Sequence, residues 1–166
     1  MMVRQIAFGL LSAAALLTAA AAWSADFGYA VPMKNSNRLT YYVDVGLGDL
    51  PPRQFLVDTG SSHMAIDDAS LRLLQGQGEA HFVGNLVGTM ADGSKRRVPL
   101  YEIDRLVIGD RCVVRDVRAA VIPGADRNIL GLSVLRRLAP FSMDTEPPTL
   151  RFSRCRDPVA ATARNG

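Results

Sequence analysis

The chain has few of the residues that most often carry chemistry. Two cysteines in 166 residues exclude a disulfide-dense miniprotein. The two histidines, His63 and His81, stand outside any ligand-spaced cluster, so each reads as a surface or internally satisfied side chain and no metal or other cofactor is called for. Charge of one sign is also scarce: 19 Lys and Arg against 16 Asp and Glu leave a formal +3. The arginines at 96/97, 136/137 and 151/154/156 are scattered without interleaved aromatics, so they read as solvated faces and no nucleic-acid partner is expected. Gly131-Leu132-Ser133-Val134-Leu135 lacks the closing glycine of a nucleophile elbow, which argues against serine hydrolysis and leaves Ser133 as a helix-start hydroxyl. No internal repeat is present, and the length suits one domain with a core rather than two.

What is present begins with an apolar leader. After Arg4, residues 6–22 run without a charge and are rich in Ala and Leu, the pattern of a secretory signal peptide covering residues 1–25. A small-x-small pattern fits a cut after Ala22 or Ser24. The weak hydrophobicity of so much alanine favours cleavage; the alternative is an uncleaved membrane anchor through residues 6–22. The product is expected to be exported, periplasmic or extracellular. In an oxidising compartment Cys112 and Cys155 could bridge, closing about 42 residues and stabilising by ~3–4 kcal/mol on the chain-entropy model. Two separate thiols or an intermolecular bridge are equally open.

Beyond an N-terminal arm at 26–38, residues 39–47 alternate strictly, with Leu39, Tyr41, Val43, Val45 and Leu47 on one side, the period of a half-buried strand. Gly48, Asp49, Pro51 and Pro52 punctuate a turn into a second apolar run at 54–57, which ends at Asp58-Thr59-Gly60. A short strand at 63–66 precedes Asp67, which can cap a helix over 68–74 ending at the Gly76/Gly78 pair. Residues 80–90 and 95–100 flank Ala91-Asp92-Gly93-Ser94, and Asp-Gly between extended runs predicts a hairpin tip. Strands are expected at 101–108 and 111–122, turning at Gly109-Asp110, and at 128–130. Leu132, Leu135 and Leu138 share helical spacing, and 141–144 with 149–153 form a closing strand pair around Glu146-Pro147-Pro148. The sum is an all-β chain with two short helices, one domain over 39–156, and a disordered tail at 157–166.

Chemistry concentrates at Asp58. A carboxylate closing an apolar strand is costly unless hydrogen-bonded, and the Gly60 N–H and the hydroxyls of Thr59 and Ser61 are the nearest donors. Asp-Thr-Gly alone is also simply a good turn. Its flanks, Phe55-Leu56-Val57 before and Ser61 after, resemble the active-site loop of aspartic proteases. About thirty residues downstream, Thr89-Met90-Ala91-Asp92-Gly93 is similar to the flap hairpin of the retropepsin-like family and its bacterial exported relatives, and Ile129-Leu130-Gly131 with the helix at 132–138 is similar to that family's second signature.

The resemblance spans roughly residues 39–152 and implies a closed acid-protease barrel with a flap hairpin and one or two short helices. It implies Asp58 as the catalytic aspartate, Thr59 as an interlocking hydroxyl, Gly60 as the turn, and Thr89, Met90, Ala91, Asp92 and Gly93 as the flap over substrate. Ser61, Ile129, Leu130 and Gly131 would support the loop. Ser61-Ser62-His63 departs from the Ala-Asp or Ala-Thr common in the retroviral members. The mechanism needs two carboxylates sharing a proton, and no other Asp of this chain sits in comparable surroundings. The second carboxylate is therefore expected from a second copy, in a two-fold homodimer acting on peptide or protein, in the acidic to near-neutral range. The rival reading keeps the barrel but makes it a non-catalytic exported dimerisation or peptide-binding module.

Overall fold

The computed structural model describes residues 26–36, 40–90 and 92–155, with the backbone of 157–158. The expected leader and most of the expected tail lie outside the described residues. Within the stretch read as an arm, 29–32 and 34–36 are strands, β1 (Tyr29–Pro32) and β2 (Lys34–Ser36). β3 (Thr40–Leu47) follows and folds back through the Gly48-Asp49 turn onto β4 (Arg53–Val57), pairing Val43 with Phe55. Val43, Val45, Leu47 and Phe55 are fully buried, whereas Asp44 and Gln54 lie on the opposite face, as strand alternation requires.

β5 (Met64–Ile66) leads into α1 (Asp68–Gln77). Asp67 caps this helix, its carboxylate accepting from the Ser70 N–H at 2.6 Å. The helix passes Gly76 and stops at Gly78, whose φ of 75° is the left-handed closing conformation; the expected end at residue 74 was a turn short. Leu74 is fully buried, so this helix seals one side of the core.

β6 (Ala80–Thr89) and β7 (Lys95–Ile108) form the hairpin. Two strands were expected over 95–108; one strand of 14 residues is found. It pairs with β6 from Lys95 to Ile103 and with β8 (Cys112–Val121) from Leu100 to Ile108, so its near half is hairpin and its far half is wall. β9 (Asn128–Leu130) runs parallel to β4, placing Val57 opposite Leu130, and meets β5 on its other side. Since β5 also pairs with β8, the six strands β3, β4, β9, β5, β8 and β7 close into a ring.

α2 (Leu132–Leu138) spans the expected residues, but Val134, Leu135 and Leu138 face the core while Leu132 is only half-buried. β10 (Phe141–Thr145) and β11 (Pro148–Phe152) form the closing pair, and β1 adds to β11, making a second sheet ordered β1-β11-β10. Tyr29 stacks on Phe152 at 5.1 Å. β12 (Asp157–Pro158), the first two residues of the expected tail, pairs with the start of β8. Beside it Cys112 and Cys155 are disulfide-bonded, with Cα atoms 5.5 Å apart.

Candidate active site

β4 carries its apolar residues inward and ends at Asp58, where the chain leaves the sheet. The Asp58 N–H donates to the Leu130 carbonyl at 3.2 Å, a last rung of the parallel β4–β9 ladder. Its carboxylate is then gripped from its own loop: the Gly60 N–H donates to Oδ1 at 2.8 Å and the Ser61 hydroxyl to Oδ2 at 2.7 Å. Each oxygen thus has a donor, which offsets the cost of holding charge at the end of a buried strand. A Cβ at position 60 would lie 3.1 Å from Oδ1, so glycine keeps that face of the carboxylate uncrowded.

The loop is braced from below by α2. Its first amides, orphan donors in any helix, find the loop's carbonyls: Leu132 N–H to Ser61 O at 2.8 Å and Ser133 N–H to Ser62 O at 3.0 Å. The Ser133 hydroxyl accepts from the Met64 N–H at 2.8 Å. Loop and helix approach so closely that a Cβ on Gly131 would fall 2.2 Å from the His63 carbonyl oxygen. Deeper down, the buried Asn128 accepts from the Asp67 N–H at 3.0 Å, tying β9 to the α1 cap.

Above the loop lies a cleft of about 690 Å³, floored by Asp58, Gly60 and Ser61 and roofed by the hairpin through Leu86, Val87, Thr89 and Met90. At the hairpin tip the Met90 N–H donates to Ser94 O at 2.8 Å and the Gly93 N–H to Met90 O at 2.9 Å, with Gly93 at φ 80°. Asp92 accepts from the Ser94 hydroxyl and amide, which hold its carboxyl below the ordinary carboxylate range. A second hollow of about 540 Å³ is lined by Lys34, Tyr42, Asp126 and Arg127. Its charges are already paired, Lys34 with Asp44 at 2.8 Å and Arg127 with Asp126 at 3.0 Å, so it offers less to a ligand than the Asp58 cleft.

The site is thus one carboxylate, with a donor on each oxygen, under a hairpin roof. Residues 43–137 match the family described as "gag-polyprotein putative aspartyl protease". The chain belongs to this aspartyl protease family. Among solved structures, a retropepsin-like aspartic protease from Rickettsia conorii is similar, with a TM-score of 0.56, 17% identity, and coverage of 75% of this chain and 89% of that one. At that identity the likeness concerns the fold, which is the closed retropepsin-like barrel. No curated protein matches the chain in sequence.

Within the aspartyl protease barrel, the expected site residues divide. Asp58, Gly60, Ser61, Ile129, Thr89 and Met90 share the cleft. Leu130 acts from behind through its backbone and is fully buried, and Gly131 supports from below. Thr59 is exposed beside the loop and is not among the Asp58 donors. Asp92 and Gly93 lie at the tip beyond the cleft lining, and Ala91 lies outside the described residues. Sequence reasoning missed the bracing role of Ser133 and the cleft positions of His63, Leu86 and Val98. A signal existed for Ser133, a hydroxyl in the first turn of a predicted helix; for the others, membership depends on which strands fold over the loop.

Proposed function

We propose that the chain is an aspartic endopeptidase whose active unit is a homodimer, each copy supplying one Asp58. One carboxylate takes a proton from water as its oxygen attacks the scissile carbonyl; the other gives its proton to that carbonyl oxygen, and the tetrahedral species then collapses with protonation of the leaving amine. The observation that carries the reading is a single carboxylate, held by the Gly60 amide and the Ser61 hydroxyl, on a loop whose Thr59 and Gly60 are exposed. The roof formed by β6 and β7 supports an extended peptide as substrate, with apolar side chains against Leu86, Val87 and Ile129. The Cys112–Cys155 bridge supports an exported protein in an oxidising compartment, with residues 1–25 as its leader.

The test is peptide cleavage by protein beginning near Asp26, across pH 3 to 8 and several protein concentrations, with Asp58→Asn and a pepstatin-type inhibitor as controls. Specific activity should rise with protein concentration and vanish in Asp58→Asn. A folded dimer that cleaves nothing would turn the assignment to a peptide-binding module.

A further inference from the structure

This inference rests on the protease reading and concerns what the cleft selects. Among the described residues lining it, two carry ionisable side chains, Asp58 and His63. The rest of the lining brings no other: the roof contributes Leu86, Val87 and Met90, β7 contributes Val98, the end of β8 contributes Ala120 with Ile122 just after it, and β9 contributes Ile129. Lys95, Arg96 and Arg97, paired across the hairpin with Thr89, Gly88 and Val87, and Asp92 at the tip are not among the lining residues.

His63 is exposed, and the backbone on both sides of it is hydrogen-bonded to the start of α2. The carbonyls of Ser61 and Ser62 before it accept from Leu132 and Ser133 at 2.8 and 3.0 Å, and the Met64 N–H after it donates to the Ser133 hydroxyl at 2.8 Å. Its own carbonyl leaves no room for a Cβ on Gly131. His63 therefore borders the cleft from a braced loop, the support that recognition of one substrate group needs.

We propose that His63 is a specificity-determining residue that takes the carboxylate of an Asp or Glu side chain in the bound peptide, next to the apolar residues taken by the walls. A ring N–H of imidazole donates to a carboxylate, and no other residue of this copy's lining has a basic side chain.

The Asp58→Asn protein, which binds without turnover, is titrated with fluorescein-labelled extended peptides carrying a Val-Leu centre and either Glu or Gln at each flanking position in turn. At one position Glu should bind about fivefold tighter than Gln, the upper range for a solvent-accessible charged pair. Adding His63→Gln should bring the ratio to one. Adding His63→Arg should keep it, an outcome that a purely structural role for His63 does not produce. The inference is overturned if no peptide binds, if no position prefers Glu, or if the preference survives His63→Gln. Cleavage by the unmodified protein separates the two readings: equal kcat/KM for Glu and Gln peptides sinks the role of His63 alone, and a binding preference without cleavage sinks the protease reading alone.

Discussion

Gly131→Ala isolates the contact between the Asp58 loop and α2. The glycine sits at φ −91°, ψ −176°, extended backbone open to alanine, so the substitution tests space and not conformation. Its Cβ would lie 2.2 Å from the His63 carbonyl oxygen, 2.7 Å from the His63 carbonyl carbon and 2.8 Å from the Ser61 oxygen. All three are backbone atoms and cannot swing aside. Reaching ordinary contact near 3.4 Å requires loop and helix to part by about 1.2 Å, which stretches the Leu132–Ser61 and Ser133–Ser62 hydrogen bonds beyond useful length. Two lost bonds at about 0.5–1.5 kcal/mol each, with about 1–3 kcal/mol of overpacking, sum to roughly 2–6 kcal/mol. The assay is denaturant unfolding at fixed protein concentration, paired with peptide cleavage. Gly76→Ala is the control: it sits inside α1 with nothing within 4 Å of a Cβ, and it should stabilise by about 0.5–1 kcal/mol. If Gly131→Ala unfolds within about 0.5 kcal/mol of the parent, a shift expected of an unimportant surface site, and cleaves normally, the brace has no role.

Ser61→Ala removes the donor to Asp58 Oδ2 and should lower kcat about tenfold while leaving the unfolding midpoint nearly unchanged; unaltered kcat would show that the Gly60 amide suffices. Replacing Cys112 and Cys155 together by Ala opens a loop with a sequence separation of 43, and should cost about 4 kcal/mol in chemical unfolding on the chain-entropy model; a loss under about 1 kcal/mol would mean the unfolded chain is already compact there. The flap tip has a pH signature as well. Asp92 is lowered by the Ser94 hydrogen bonds, so its ordering effect is complete above the unfolded value near ~3.9 and is lost as pH falls through the lower folded value. The Gly93 and Ser94 amide resonances should hold from pH 7 to 5 and shift only below about pH 4; a shift centred near pH 6 would contradict this.

Much of the fold was legible where periodicity and turn chemistry act locally. β3 alternates as read, the Asp92-Gly93 tip caps a hairpin, and α2 spans the expected residues. The rest depends on partners distant in sequence. β7 looked like two strands because a strand that changes neighbours midway leaves no mark in its own pattern; β8 simply joins it at Leu100. The Lys34-Asn35-Ser36 strand is short and polar, and it forms only because Tyr41 and Tyr42 of β3 lie opposite. At the site, the carboxylate and its turn were readable, whereas the choice of Ser61 over Thr59 as donor is set by the loop path over α2.

Because β7 runs unbroken from barrel wall into roof, the height of the roof and the register of the wall are one variable. Val98 is buried on that strand, and Val83 already stands as an unmatched residue where β6 slips between Phe82 and Gly84. Adding a single residue near the hairpin root would turn every side chain beyond it to the other face and carry Val98 out of the interior. Adding residues two at a time on both strands would preserve each face. The reach of the canopy over a substrate can therefore grow only in steps of one pleat, about 7 Å for each pair of residues.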